Sequence, residues 1–118
     1  NGILNLFLID GNTSLLENLV AISLIRQFGR EDSVFFYNKG VEVDFYIPEE
    51  QWAIQVSYSI KDPETKERET DALIKLFKVL PCKRLLIITF DEEGILQTNS
   101  DIEIEVIPIW KWLLKETQ

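Results

Sequence analysis

The residues that could do chemistry lie in one stretch, residues 41–59, whose alternating apolar side chains predict a β-hairpin. Asp44 lies in the first strand, and Gln55 and Ser57 lie two residues apart in the second. Side chains of a strand alternate between its two faces, so Gln55 and Ser57 share a face. Carboxylate and amide oxygens are ligands for hard cations such as Mg²⁺. An acid on one strand opposite a polar pair on the next is therefore an arrangement on which a metal site could be built.

The register of this hairpin follows from its apolar residues. If residues 48–51 form a loop, the apolar residues of the two strands meet on one face, and a slip of one residue would destroy that match. The predicted pairs are Ile47 with Trp52, Phe45 with Ile54, Val43 with Val56 and Val41 with Tyr58. The same register places Asp44 opposite Gln55 on the other face. We therefore expect Asp44 and Gln55 to have facing side chains.

The segments around the hairpin predict a mixed α/β fold. The expected elements are a helix over 15–28, a strand over 33–38, the hairpin, a helix over 63–80, strands over 84–90 and 102–107, and a helix from residue 109. Asp62 and Pro63 have the residue types of an N-cap and a first helical position. The connection from strand through helix to strand predicts that 84–90 runs parallel to 52–58. The alternation in 102–107 indicates an edge strand with one wet face.

Three predictions concern burial. The first helix is apolar around most of its circumference, so we expect it to be largely buried. Trp52, Phe45 and Ile54 are expected to pack under a helix. In the last helix, the spacing predicts that Trp110, Leu113 and Leu114 pack on the sheet and leave Lys111 exposed.

Composition limits the classes of partner. The chain has 118 residues and a net charge of −8, with 20 acidic against 12 basic residues, which argues against tight DNA binding. Its apolar runs fall short of the roughly 20 residues that cross a bilayer, so we expect no membrane partner. Cys82 is the single cysteine, which excludes an internal disulfide and fits a reducing cytoplasm. We expect it to be a small packing residue.

Asp44 followed by Gln55-Val56-Ser57 resembles the D…(D/E)-x-K core of the restriction-endonuclease-like nucleases. More closely, the chain resembles the C-terminal domain, of unassigned function, of a large group of prokaryotic AAA-type ATPases. The resemblance covers nearly the whole chain and is carried by LLENLVAISLIRQFG, VEVDFYI, IQVSYSI, DPETKERETDAL, RLLIITFDEEG and VIPIWKWLL. It implies a restriction-endonuclease-like mixed β-sheet flanked by helices, in the order α-β-β-β-α-β-β-α. The chain begins at Asn1 and contains no methionine, so we expect it to be a fragment. The resemblance implies that residues 1–118 are one nuclease-like domain, the C-terminal part of a larger ATPase.

The resemblance also implies a metal-dependent nuclease site, in which two expected residues are replaced. In active relatives the second strand supplies an acid, one intervening residue and a lysine, whereas these positions here hold Gln55 and Ser57. Asp44 would remain as a metal ligand, and Glu17 would be the acid that the first helix of such nucleases directs at the metal. The alternative for Glu17 is a capping box with Ser14 as N-cap. Loss of one electrostatic contact of this kind costs about 10²–10³-fold in rate, so we expect the degenerate site to be inactive.

One further pair follows from the resemblance. Family members often carry Arg-Glu at the place of Arg68-Glu69, which could face the hairpin; the alternative is a solvated helix face.

Three functions are compatible with these observations. The first is a non-catalytic accessory domain of an AAA-type ATP-binding protein that acts through protein contacts with its own upstream ATPase domains or a partner. The second is a weak Mg²⁺-dependent deoxyribonuclease that uses Glu17, Asp44 and Gln55. The third is a DNA-binding module without catalysis. ATP would bind elsewhere in the parent protein, because this chain contains no G-x-x-x-x-G-K-[ST] phosphate loop.

Overall fold

The computed structural model describes residues 12–28, 35–38 and 42–116, which form a mixed six-stranded sheet with helices on both faces. The helices are α1 (Asn12–Phe28), α2 (Pro63–Phe77) and α3 (Ile109–Glu116). The strands are β1 (Phe35–Asn38), β2 (Glu42–Ile47), β3 (Trp52–Val56), β4 (Arg84–Thr89), β5 (Gly94–Leu96) and β6 (Ile104–Pro108). Their order across the sheet is β1-β2-β3-β4-β6-β5. None of the helices in these ranges is both long and apolar enough to cross a lipid bilayer.

The pairing of the strands confirms the predicted α/β class. β1, β2 and β3 form an antiparallel meander, and β3 and β4 are parallel, as the intervening helix predicted. The pairs Ile47 with Trp52 and Phe45 with Ile54 are confirmed. The predicted pair of Val41 with Tyr58 lies outside the described residues.

The end of the sheet differs from the prediction. β6 is not an edge strand, because it lies between β4, to which it is parallel, and β5, to which it is antiparallel. The prediction was wrong because no strand was expected between residues 90 and 102, where β5 has only three residues. Such a short run carries too little alternation to be recognised as a strand.

The sheet divides the core into two layers. One layer contains α1, α3 and one face of the sheet, with buried residues Leu16, Val20, Leu24, Phe45, Ile47, Ile54, Val56, Leu86, Ile88, Ile107, Ile109 and Trp112. The other contains α2 and the opposite face, with buried residues Val43, Tyr46, Ala53, Ile60, Leu73, Leu76, Leu85, Ile87, Ile104 and Val106. The central strands β3, β4 and β6 are therefore covered on both sides, as expected of parallel strands.

A bulge in β2 changes the face on which Val43 lies. Phe35 pairs with Tyr46 and Tyr37 pairs with Val43, so two steps along β1 correspond to three steps along β2. The extra residue breaks the alternation, and Val43 packs in the α2 layer while Phe45 packs in the α1 layer. The predicted pairing of Val43 with Val56 on one face is therefore wrong.

Helix α1 starts earlier than predicted and is less buried. Because the helix already includes Asn12, Ser14 lies inside its first turn and cannot be its N-cap, so the capping-box interpretation of Glu17 is wrong. Ile22 and Ile25 are exposed, which contradicts the expectation of a largely buried helix. Only one stripe of α1 can face the sheet, so apolar residues on the opposite side remain at the surface.

Helix α2 begins as its sequence predicts. The Asp62 side chain accepts a hydrogen bond from the backbone N–H of Thr65, and Pro63 is the first helical residue. Leu73 and Leu76 are buried, and the helix ends at Phe77 rather than at residue 80.

Helix α3 has a different buried face from the one predicted. Trp112 is fully buried, whereas Trp110 and Leu114 are mostly exposed. The helix continues directly from β6, so the buried Ile109 sets its rotation, and the residues three and four positions later follow it inward. The Trp112 indole donates a hydrogen bond to the Ser23 hydroxyl of α1 at 2.9 Å. Lys111 is partly exposed and pairs with Glu93.

The burial of the hairpin generates a first prediction. Ile54 is fully buried between β2 and β4, so Ile54→Ala should lower the free energy of unfolding by about 2–5 kcal/mol through the cavity it leaves. Val79→Ala is the matched control, because Val79 is 63% exposed and its truncation should change stability by less than about 0.5 kcal/mol. Denaturant unfolding measures both, and equal effects of the two truncations would contradict the assigned core.

Candidate functional site

A cavity of about 340 Å³ lies between the β2–β3 hairpin and α2. The hairpin contributes Glu42, Asp44 and Gln55 to its wall. The helix contributes Arg68, Glu69, Asp71, Ala72 and Lys75. The structure therefore places Asp44 and Gln55 in the wall of one cavity, on the same face of the hairpin, although the regular strand pairing does not extend to them.

β2 and β3 part from each other at the wall of this cavity. Their regular pairing ends at Phe45 and Ile54. Beyond that point, the Gln55 side chain bridges the gap: its Oε1 accepts a hydrogen bond from the Asp44 N–H at 3.0 Å, and its Nε2 donates to the Glu42 carbonyl at 3.2 Å. The amide thus replaces a peptide group of the ladder, since it carries one acceptor and a donor in the same plane. Only 3% of Gln55 is exposed, so these two bonds satisfy a buried polar group.

The Asp44 side chain forms a hydrogen bond across the same gap, from β2 to β3. Its Oδ2 accepts a hydrogen bond from the Val56 N–H at 2.7 Å. Burial raises the pKa of this carboxyl above its ordinary value, the hydrogen bond from Val56 opposes that rise, and the neighbouring Glu42 adds to it. One of the carboxylate oxygens is therefore already used in holding the two strands together.

Glu17 and Glu69 are electrostatically coupled to Asp44 from the two helices. Burial raises the pKa of Glu17, and Asp44 raises it further. Burial raises the pKa of Glu69 to about 7, with contributions in the same direction from Asp44 and Glu17 and an opposing one from Arg68. Glu17 is thus close enough to act on this site, although it does not line the cavity. The coupled acids destabilise one another when all are ionised.

Ser57 is directed elsewhere. Its hydroxyl donates a hydrogen bond to the Ser59 carbonyl at 2.9 Å, and its backbone N–H donates to the Ile88 carbonyl. Ser57 is buried and does not line the cavity, so the structure does not bring it together with Asp44 and Gln55. Outside the site, burial raises the pKa of the Cys82 thiol to about 11, which keeps it neutral, in agreement with a packing role.

The positively charged side chains of the site lie on α2 and not on the hairpin. Arg68 and Lys75 line the cavity, and Arg68 contacts the Glu69 carboxylate at 3.7 Å. Glu69 is the more buried of the two, with a side chain that is 15% exposed, whereas the Arg68 side chain lines the same cavity but is 71% exposed and largely solvated. Lys75 was missed, although its distance of seven residues from Arg68 puts both on one side of a helix.

The chemistry open to this arrangement is that of paired acids with nearby cations. A carboxyl group such as Glu69, whose pKa is about 7, can exchange a proton at neutral pH. Within the described residues, no group of three or more His, Cys, Asp or Glu side chains is placed to hold a metal ion.

Comparison with known proteins gives one informative match. The chain is 40% identical over 108 residues to an uncharacterized protein of Methanocaldococcus jannaschii, MJ1544. The match covers 85% of this chain and 24% of that protein, so the chain spans about a quarter of the length of its curated relative. No family model matches the chain. No solved structure matches it either.

The bridging role of Gln55 generates a second prediction. Gln55→Glu removes the donor to the Glu42 carbonyl and places a buried carboxylate beside Asp44, so it should lower the free energy of unfolding by about 2–4 kcal/mol at pH 7. The difference from the unaltered protein should shrink at pH 5, where the new carboxyl becomes protonated. Gln27→Glu, at an exposed position of α1, adds the same charge and should cost about 1 kcal/mol or less. Equal unfolding curves for the two variants would contradict the bridge.

The raised pKa of Glu69 generates a third prediction. The folded protein holds a proton on Glu69 up to about pH 7, whereas the unfolded chain loses it near 4.5, so ionisation of Glu69 lowers stability as the pH rises through this window. Glu69→Gln should remove that loss and become more stable than the unaltered protein by about 1–3 kcal/mol above pH 7, with little difference below pH 4.5. Glu67→Gln, on the exposed face of the same helix, controls for the lost charge. A difference that does not depend on pH would contradict the assignment.

Proposed function

We propose that this chain is a non-catalytic, nuclease-like accessory domain of an AAA-type ATP-binding protein, and that it acts through protein contacts. The observation that carries the proposal is the double hydrogen bond of Gln55. In an active nuclease of the proposed type, this position supplies a carboxylate to the metal. Here the amide nitrogen donates to the Glu42 carbonyl, a bond that an ionised carboxylate cannot make. The Gln55 side chain therefore holds β3 to β2 instead of binding a ligand.

The position of Ser57 supports the same conclusion. A lysine that assists phosphodiester hydrolysis must reach the attacking water or the developing charge. Ser57 carries no charge, and its hydroxyl is bound to the Ser59 carbonyl outside the cavity. Asp44 keeps its carboxylate, but one oxygen is held by the Val56 N–H.

Three observations support the wider role. The segments quoted above resemble the C-terminal domain of the ATPase group, and the relative with 40% identity is about four times longer than the matched region, which leaves room for other domains. The net charge of −8 disfavours DNA as a partner. The single cysteine, Cys82, fits a reducing cytoplasm, and ATP would be bound by the parent protein and not by this domain.

A second candidate function, Mg²⁺-dependent cleavage of DNA, is favoured by the residues of α2. Lys75 lines the cavity with Asp44, and Glu69 is coupled to Asp44 and Glu17. In this candidate, Glu69 would replace the missing strand acid and Lys75 the missing strand lysine. The cavity residues fit Mg²⁺ less well than those of an intact nuclease site would. Gln55 offers only a neutral oxygen, and that oxygen already accepts a hydrogen bond from the Asp44 N–H.

The two candidates generate a fourth prediction. The 118-residue chain, incubated with supercoiled plasmid and with single-stranded DNA in Mg²⁺ or Mn²⁺, should not cleave either substrate. Calorimetric titration should show Mg²⁺ binding no tighter than about millimolar, because two of the ligands expected of such a site are absent or engaged.

Cleavage that is lost in Asp44→Asn would overturn the non-catalytic function. Asparagine keeps an acceptor for the Val56 N–H, so this variant should fold, and Asp101→Asn, at an exposed position away from the cavity, is the matched control. If Lys75→Ala also abolished cleavage, the second candidate would replace the first.

The ATPase part of the proposal has its own test. The full-length protein should contain a G-x-x-x-x-G-K-[ST] segment outside these 118 residues and should hydrolyse ATP. A full-length sequence that lacks this segment would contradict the assignment to an AAA-type protein.

A further inference from the structure

The helices on the two faces of the sheet differ in the residues that they expose. Apart from Pro63, the exposed residues of α2 are all charged: Glu64, Lys66, Glu67, Arg68, Asp71 and Lys75. The layer of α1 and α3 instead exposes large apolar residues, Ile22, Ile25, Trp110 and Leu114, to between 37% and 56%. We call the side of the domain that carries these four residues the α1–α3 surface. Contact of apolar side chains with water is unfavourable, so this is the side that gains most from being covered.

The α1 part of this surface follows from helical periodicity. Ile22 and Ile25 are three positions apart, so they lie on one side of the helix. Arg26 and Gln27 are the other exposed residues of α1, and only Arg26 is charged. Among the described elements, α1 packs against the sheet and α3, while the side of Ile22 and Ile25 stays exposed. A helix that is apolar around most of its circumference is typical of one with protein on every side.

Helix α3 lies beside α1 in the same layer. The Trp112 indole donates a hydrogen bond to the hydroxyl of Ser23, which follows Ile22 in the sequence. Trp110 and Leu114 are four positions apart and therefore lie on one side of α3. Exposed aromatic residues of this kind are enriched where proteins contact each other. Both helices of the layer thus carry exposed apolar side chains.

We propose that the α1–α3 surface docks against an apolar surface on the remainder of the parent polypeptide. The inference rests on the proposed function, since it names the surface through which the domain contacts its own upstream domains. The relative with 40% identity has about three-quarters of its length outside the matched region, which leaves such a surface available in a protein of that size.

A covalently attached partner fits this surface better than a separate molecule does. Helix α1 begins at Asn12, so a domain that precedes the chain is tethered within about 40 Å of it, the greatest reach of residues 1–11. A short tether gives an effective concentration on the order of millimolar, at which a small apolar contact suffices. A second copy would have to dock without a tether, against the repulsion between two chains that each carry a charge of −8.

The proposal is tested by the accessibility of introduced thiols in the 118-residue chain and in the full-length protein. Ile25→Cys lies on the α1–α3 surface, and Val79→Cys is the control at a position that is 63% exposed and outside it. Alkylation by iodoacetamide is followed at each site by mass spectrometry, which separates both from Cys82. The thiol at position 25 should react about tenfold more slowly in the full-length protein, since the core of a docked interface excludes water. The thiol at position 79 should react equally in both.

A second measurement tests whether the apolar side chains hold the domains together. Ile22→Gln with Ile25→Gln keeps good helix formers and the net charge, so this pair should fold. In the full-length protein it should make the connection to this domain about tenfold more susceptible to limited proteolysis, because undocking exposes the connection. Val79→Gln with Ile95→Gln, at exposed apolar positions elsewhere, is the matched control and should leave cleavage unchanged.

Three outcomes would overturn the proposal. The first is equal alkylation of Ile25→Cys in the 118-residue chain and in the full-length protein, and the second is equal proteolysis of the two glutamine pairs. The third is a dimer of the 118-residue chain in sedimentation equilibrium that Ile22→Gln with Ile25→Gln abolishes, because the surface would then serve a second copy.

Failure of the proposed function is distinguishable from failure of this inference. DNA cleavage that depends on Asp44 would overturn the non-catalytic function and leave the alkylation rates unaffected, because Asp44 lines the cavity between the hairpin and α2. Equal alkylation would overturn the inference without restoring any catalytic role.

Discussion

The separation of β2 from β3 beyond Phe45 and Ile54 is the constraint on which the site depends. Two side chains replace the lost backbone pairing, with Gln55 bonded to the first strand and Asp44 to the second. The bulge in β2 belongs to the same irregularity, since it moves Val43 into the layer of α2. The hairpin therefore remains continuous with the sheet while it leaves a cavity beside it. A substitution at Gln55 or Asp44 alters the support of the sheet and the wall of the cavity together.

Helix α2 forms a wall of two cavities. The side that carries Arg68, Glu69 and Lys75 faces the hairpin cavity. Lys66, Ile74 and Lys78 line a second cavity, of about 720 Å³, whose opposite wall is formed by residues 95–100. Asp71 lines both. Leu73 and Leu76 anchor the helix in the core between these two sides. Since one rigid helix forms a wall of each cavity, a displacement of α2 on binding at one of them would change the shape of the other.

The features that were predictable from the sequence are those set by local patterns. Alternation placed the hairpin register at Phe45 and Ile54, and the residue types of Asp62 and Pro63 placed the start of α2. The features that could not be predicted depend on tertiary contacts. The rotation of α3 follows from its direct continuation of β6, and the Val43 position depends on one extra residue that alternation cannot reveal.

The same distinction applies to the candidate site. The pairing of Asp44 with Gln55 in one cavity followed from the strand period, whereas the engagement of the Gln55 amide required the separation of the strands. Glu92 is a further example, because it lies outside every element predicted from the sequence. Its carboxylate accepts hydrogen bonds from the Ser59 hydroxyl and the Ile60 N–H, and these bonds join the segments that follow β3 and β4.

The hydrogen bond from Trp112 to Ser23 joins residues 89 positions apart. During synthesis at about 5–20 residues per second, α1 would wait on the order of ten seconds for the helix that completes its layer of the core. Until then its apolar stripe, with Leu16, Val20 and Leu24, has no α3 to pack against. The nascent chain thus presents this stripe to chaperones and to other nascent chains. Translation speed through α2 and the last strands sets the length of that exposure.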